Sequence, residues 1–225
     1  MAYHIETGLI KEKFKTDCEC PLCEIQKIVE DGLMHEFLND AVMEDDSRIL
    51  VAQKGFCAKH FDLMLKRPNK LSLALQVNTR TNAILKGLTF EPSIKKAKKL
   101  AGAIDTAHKT CVICDFTEES MEKYYKTVAE LFLCEPTFRD TLKNTKGFCL
   151  HHYAELLRYA GFSGKYAKEY LAALYKTQTE NLKRLQGELK WFCDKHDYRN
   201  ADKPLGSAET ALPRTSTKLY GKKPE

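Results

Sequence analysis

Nine of the 225 residues are cysteine, and four of them form two Cys-x-x-Cys pairs, Cys20/Cys23 and Cys111/Cys114. Two more open Cys-x-x-His pairs, Cys57/His60 and Cys149/His152, each preceded by Gly-Phe. Thiolate and imidazole are the donors a tetrahedral cation such as zinc prefers, four at a time, at about 2.0–2.3 Å. Donors at i and i+3 can clasp one ion from a helix start or a tight knuckle. Gly55 and Gly147 stand two residues before the Cys-x-x-His pairs, where a sharp turn into a helix needs a permissive backbone. Three thiolates around Zn²⁺ carry a net charge near −1, which the free N–H groups and dipole of a helix N-terminus stabilise.

The motifs are repeated in order. Cys20-Pro21-Leu22-Cys23 recurs as Cys111-Val112-Ile113-Cys114 at an offset of 91 residues, and Gly55-Phe56-Cys57 with His60 recurs as Gly147-Phe148-Cys149 with His152 at an offset of 92. Glu44 and Arg48 match Glu135 and Arg139, and Phe61 and Leu65 match Tyr153 and Leu157. The reading is two copies of one unit, each stapled by its own ion: Cys20, Cys23, Cys57 and His60 in the first, and Cys111, Cys114, Cys149 and His152 in the second. Two zinc ions per chain are therefore expected. An iron–sulfur cluster, which thiolates also hold, dithiol redox chemistry at the Cys-x-x-Cys pairs, and buried cysteines without an ion are the alternatives. A catalytic zinc keeps an open coordination position, and four protein ligands leave none, so the pattern argues against metal hydrolysis.

The repeat register excludes other cysteines from the ligand sets. Cys18 aligns with Lys109, and Cys134 aligns with Met43 at an apolar packing position. Cys193 and His196 form a third Cys-x-x-His without a Cys-x-x-Cys partner, read as a buried thiol and a cation closing a helix. Glu44/Arg48 and Glu135/Arg139 are spaced as i, i+4 helix pairs. Lys95, Lys96, Lys98 and Lys99 share one arc of a helix opposite Ile94, Ala97, Leu100 and Ile104. They are either a solvated face or an electrostatic patch for nucleic acid or an acidic partner. No aromatic residues interleave with them, which weakens a nucleic-acid reading. Tyr198 and Arg199, within Asp197-Tyr198-Arg199-Asn200, either line a partner-binding cleft or simply close the helix.

The elements positioning these residues read as helices throughout, with no sustained strand alternation. Apolar spacing predicts helices over 21–38, 45–52, 57–66 and 70–88 and one that opens at Pro92, then helices over 114–133, 136–143 and 149–159. Gly161 and Gly164 mark a turn with Ser163 as an N-cap, and a long helix follows to about Lys195. The expected division is an N-terminal segment (1–17), a first Cys/His unit (18–67), a helical connector (68–110), a second Cys/His unit (111–160), the long helix (161–197), and an extended or disordered tail (198–225). Composition agrees with a globular chain: 43% hydrophobic residues, 10% aromatic, and a net charge of only +5. That charge is too weak to imply nucleic acid by itself. No signal peptide or membrane-spanning run is legible, and the odd cysteine count argues against a secreted disulfide framework. The expectation is a soluble, cytoplasmic protein of a reducing compartment.

The Cys20–Cys23 string, the run from Val42 to Arg48, Gly55-Phe56-Cys57 with His60, and Asn69-Lys70-Leu71-Ser72-Leu73-Ala74-Leu75 combine with Asp197–Asn200 and the second Cys/His unit. Together they resemble an uncharacterised bacterial family, a domain of unknown function found mainly in Gram-positive anaerobes. The resemblance runs from about Cys18 to Gly221. His196 departs from it, since an apolar residue is expected there. The resemblance implies a small cytosolic bacterial protein and nothing about a substrate. The sequence thus points to an all-helical, pseudo-duplicated, zinc-binding protein, leaning to a non-enzymatic binding, adaptor or regulatory module with a protein partner. A thiol or iron–sulfur redox protein and a nucleic-acid-binding regulator are the alternatives.

Overall fold

The computed structural model describes residues 6–90, 92–200 and 202–222; the first five residues of the N-terminal segment and the last three of the tail lie outside them. The described chain is helical, with no strand. In order it forms α1 (Glu6–Lys13), α2 (Pro21–Leu38), a 3-10 turn at Ala41–Met43, α3 (Asp45–Lys54), α4 (Ala58–Leu65), α5 (Lys70–Gly87) and α6 (Ile94–His108). Then come α7 (Val112–Cys134), α8 (Pro136–Lys143), α9 (Leu150–Arg158), a 3-10 stretch at Tyr159–Tyr166, α10 (Ala167–Asp194), two more 3-10 turns, and α11 (Ala211–Tyr220). Among the described residues no helix is long and apolar enough to cross a membrane.

The duplication is visible element by element. Each Cys-x-x-Cys stands at the start of a long helix, α2 or α7. Glu44 and Glu135 are the extended N-cap residues of α3 and α8, and Cys57 and Cys149 those of α4 and α9. Gly55 and Gly147 both have left-handed φ, 66° and 79°, as a turn into the following N-cap requires. A Cβ at either would meet a long side chain crossing the loop, Arg80 at 3.0 Å or Gln178 at 2.9 Å.

The chain divides into two compact units, one made of Met1–Lys27 with Met121–Glu225 and the other of Ile28–Ser120. Helices α2 and α7 each start in one unit and end in the other. The core of the central unit gathers Met34, Phe37, Leu38, Val51, Met64, Leu73 and Ile113, with Phe56 and Phe116 against Phe37. α3 packs on α5. In the terminal unit α10 packs on α8 and α11, and α11 also lies against α9. Phe148, beside the ligand loop, meets Phe14 at 5.8 Å, and Phe14 meets Phe138 at 5.3 Å. Ile10 and Phe14 are buried, so α1 and the residue after it contribute to the core of this unit.

Four expectations are corrected. The tail is not extended: α11 is a helix with Ala211 and Lys218 buried, because its Ser/Thr content conceals one face that closes on α9 and α10. Ser163 is not an N-cap; its buried hydroxyl donates to the carbonyl of Ala160 within the 3-10 stretch, and Tyr166 caps α10 instead. Neither Glu/Arg pair forms, because each Glu is an extended N-cap rather than a residue on the helix surface. Glu44 accepts from Ser47 while Arg48 reaches Asp45. Glu135 pairs with Lys11, and Arg139 donates to the carbonyls of Phe132 and Leu133 with its guanidinium 3.8 Å from the Tyr166 ring centre. The expected apolar face of α6 is not covered, since that helix buries no residue.

Removing the Phe14 ring should leave a cavity between Phe138 and Phe148. Phe14→Ala is expected to cost about 3–5 kcal/mol, read as a lowered denaturation midpoint with an unchanged helical circular dichroism signal at low temperature.

Candidate metal centres

Eight side chains converge into two clusters, and within each the four donor atoms all lie within 4.8 Å of one another. The memberships are crossed relative to the repeats. Cys20 and Cys23 meet Cys149 and His152 in the terminal unit; Cys57 and His60 meet Cys111 and Cys114 in the central unit. The expected grouping within each repeat is therefore wrong, although all eight residues take part. The reason is helix length. α2 rises about 27 Å over its 18 residues, and it carries the chain from Cys23 into the other unit before the next Cys-x-x-His occurs. α7 does the same for Cys111 and Cys114.

In the first cluster His152 Nδ1 stands 3.4 Å from Cys20 Sγ, 3.4 Å from Cys23 Sγ and 3.2 Å from Cys149 Sγ. In the second, His60 Nδ1 lies 3.3 Å from Cys57 Sγ, 3.3 Å from Cys111 Sγ and 3.4 Å from Cys114 Sγ, and the Cys57 and Cys114 sulfurs are 3.8 Å apart. A tetrahedron with zinc-like bond lengths has edges of about 3.8 Å between sulfurs and about 3.6 Å between sulfur and nitrogen. Both clusters fit a single ion held through Nδ1. Both histidines turn Nε2 away from the sulfurs, where it is buried without a hydrogen bond. In the central unit that nitrogen faces Glu30 at 3.8 Å, and Lys59 holds the Glu30 carboxylate. A carboxylate behind a ligating imidazole orients the ring and raises its basicity.

The local backbone explains how these donors are presented. The Cys149 thiol, at the N-cap of α9, accepts from the backbone N–H of His152. In the central unit Val112 N–H donates to the Gly55 carbonyl and the Thr110 hydroxyl to the Lys54 carbonyl, tying one ligand loop to the other. Lys54 also pairs with Asp115 at 2.5 Å. Hydrogen bonds with Cys20 and Cys23, joined by His152, draw the Cys149 thiol far below its ordinary range. The Cys149 partner in turn pushes Cys23 up to about 12, and burial drives Cys20 up. Cys114 and His60 hold Cys111 down at about 3, against the cost of burial. Cys114 is raised by Cys111. Burial opposes charging His60, but Cys111 and Glu30 outweigh it and lift the imidazole to about 9. Raised Cys20, Cys23 and Cys114 thus favour the thiol while Cys149 and Cys111 favour the thiolate, so an entering cation must displace protons.

The first cluster is supported by a charge network that carries no sequence motif. Lys218, fully buried on α11, donates to the carbonyls of Glu19 and Lys146 at 2.5 Å each, the residues preceding Cys20 and Gly147. It also pairs with Glu19 at 3.4 Å, while Arg184 and Arg214 both reach Glu19 and Glu188. One cation therefore fastens both ligand loops. A lysine in a Ser/Thr-rich tail gives no sign of this in the sequence.

The remaining sequence-flagged residues stand apart from the clusters. Cys134 and Cys193 are exposed rather than buried, since each lies at or near a helix end facing solvent. His196 packs edge-on against Phe192. Tyr198 is 86% exposed, and Arg199 is held by Asp197 at 2.6 Å. Lys95, Lys96, Lys98 and Lys99 are exposed on α6.

The clusters differ in access. All four donors of the first are buried, whereas Cys114 is exposed and Cys57 half-buried in the second. With metal loaded, a chelator should strip the central ion first, and mass mapping with a maleimide should label Cys114 before Cys20, Cys23 or Cys149. Lys218→Met should leave the buried carbonyls of Glu19 and Lys146 without this donor, costing about 1–3 kcal/mol and loosening the terminal ion selectively. Because Cys20, Cys23, Cys114 and His60 must shed protons, calorimetry in buffers of different ionisation enthalpy should show proton release on zinc binding, with affinity falling on acidification.

No curated protein matches the chain, and no solved structure matches it. One family model does, over residues 1–225: the family of unknown function DUF6062. With its two Cys/His clusters and helical fold, the chain belongs to that family of unknown function.

Proposed function

We propose that this protein is a non-enzymatic binding or adaptor module whose two units are each fixed by one structural zinc ion. Cys20, Cys23, Cys149 and His152 hold one ion, and Cys57, His60, Cys111 and Cys114 hold the other. The observation that carries this reading is the closure of both clusters: three sulfurs and one imidazole nitrogen converge at tetrahedral spacing, leaving no coordination position for a substrate or water. When bound, zinc supplies charge neutralisation and a cross-link between chain segments more than 125 residues apart in the terminal unit. The protein residues do the rest. N-cap backbone groups and Lys218 offset the negative charge of the thiolates, and Glu30 orients His60. Ligand thiolates persist where thiols stay reduced, so this reading favours a reducing compartment such as the cytoplasm.

The test is metal analysis of protein purified without oxygen, with a visible spectrum alongside. The expected result is two zinc ions per chain and no visible colour. Cys149→Ser should lose the terminal ion and Cys57→Ser the central one. Iron and sulfide with visible absorbance would replace this reading with redox chemistry, and metal-free protein with full helical content would remove it.

A further inference from the structure

The central unit carries an apolar trough on the side of α5 and α6. Ala83, Ile84 and Gly87 form one wall, and Leu100, Ala103 and Ile104 the other, around a cavity of about 450 Å³. Its floor is the loop of Gly55 and Phe56, and Arg80 closes one end by donating to the carbonyls of Ala52, Gln53 and Ala107. A second depression, reaching Phe90, Lys96 and Lys99, shares Leu100 and Ala103 with the first, so the trough continues along α6. Phe90 and Ile94 are 93% and 80% exposed, with Leu85 and Leu88 exposed beside them. α6 buries nothing of its own.

The charge is as one-sided as the apolarity. Residues 70–110 contain eight Lys and Arg against Glu91 and Asp105, a net +6 where the whole chain carries +5. A surface that is both apolar and this basic needs an occupant that is apolar on one side and acidic on the other. A second copy of the chain brings the same positive charge and is repelled. Nucleic acid supplies the negative charge but leaves the apolar walls wet, and the lysines are not interleaved with stacking aromatics. A lipid surface suits a convex apolar face, whereas these apolar side chains line a concave one. The small residues Ala83, Gly87 and Ala103 leave room for another backbone to approach closely.

The geometry points to a docking groove for an acidic amphipathic helix of a partner protein, laid along α5 and α6 with apolar side chains at i, i+3, i+4 and i+7 in the trough and its carboxylates against Lys96 and Lys99. This rests on the binding-module reading and names the surface and the partner's chemistry. Because the trough's floor is the loop that leads into Cys57 and one rim reaches Thr110, next to Cys111, the central metal centre holds the groove in shape.

The test uses the full zinc-loaded chain and a labelled synthetic helix of about 20 residues, roughly 30 Å long, with Leu on one face and Glu on the rest. A scrambled peptide of the same composition, a short DNA duplex and phosphatidylglycerol vesicles serve as comparators. The expected result is anisotropy-detected binding of the acidic helix that weakens about tenfold from low to moderate salt. It should weaken about tenfold again in Ala103→Glu and in the Lys96→Glu/Lys99→Glu variant. Helicity and metal content of each variant are measured on the same sample. Loss of binding with both ions retained supports the groove; binding by a chain that holds no metal keeps the groove and removes the zinc reading alone. No binding of the acidic helix at low salt, equal binding of the scrambled peptide, unchanged binding in Ala103→Glu, or tighter binding of DNA or vesicles would overturn the proposal.

Discussion

The constraint on which this fold depends is electrostatic crowding. Three sulfurs and an imidazole stand within 4.8 Å of one another in each unit. Without a cation Cys20, Cys23, Cys114 and His60 are biased toward keeping their protons, since adjacent thiolates repel and burial penalises charge. In the proposed metal-bound form a divalent ion would turn that crowding into attraction and join segments far apart in sequence. In the terminal unit the join is between the start of α2 and the start of α9, and the N- and C-terminal parts of the chain are thereby fastened to each other. In the central unit it is between the start of α4 and the start of α7. Around both sites the long helices are joined to elements of eight to ten residues, α3, α4, α8 and α9, which are too short to be stable alone.

Each centre is assembled the same way but insulated differently. A glycine with left-handed φ admits the Gly-Phe-Cys turn, the Phe enters the core, and the Cys becomes an N-cap. A long side chain then crosses the turn. In the terminal unit Gln178 both donates to and accepts from the Phe148 backbone. In the central unit Arg80 does related work on the last carbonyls of α3 and reaches α6 as well. The terminal centre is sealed by α11, with Lys218 as a buried counter-charge. The central centre is more open, with Cys57 and Cys114 not fully buried. A duplicated design has thus become one enclosed site and one accessible site, the latter beside the basic, apolar surface of α5 and α6.

Local features were largely legible. The helix starts at Pro21, Pro136 and the two N-cap cysteines follow from residue types whose preferences act within one turn. The positive φ of Gly55 and Gly147 follows from the need for a sharp turn before a helix. Side-chain pairing was less legible. Glu44/Arg48 and Glu135/Arg139 have ideal helix spacing, yet each Glu stands one residue before its helix as an extended N-cap and does not share the helix surface with its Arg. The tail illustrates a different failure: Thr, Ser and Pro in 211–220 read as solvated chain, and only contact with α9 and α10 makes that stretch a helix with a buried lysine.

The sequence by itself determined which eight residues are donors, their types, their i, i+3 spacing and their place at helix starts, because these are set by chemistry and local backbone geometry. Only the tertiary structure decided which Cys-x-x-Cys meets which Cys-x-x-His. The two copies carry identical donor sets, so ligand chemistry is equally satisfied by either pairing. The choice falls to the lengths of α2 and α7 and to the cores that receive their far ends. Those are long-range packing energies, and no spacing within one repeat encodes them.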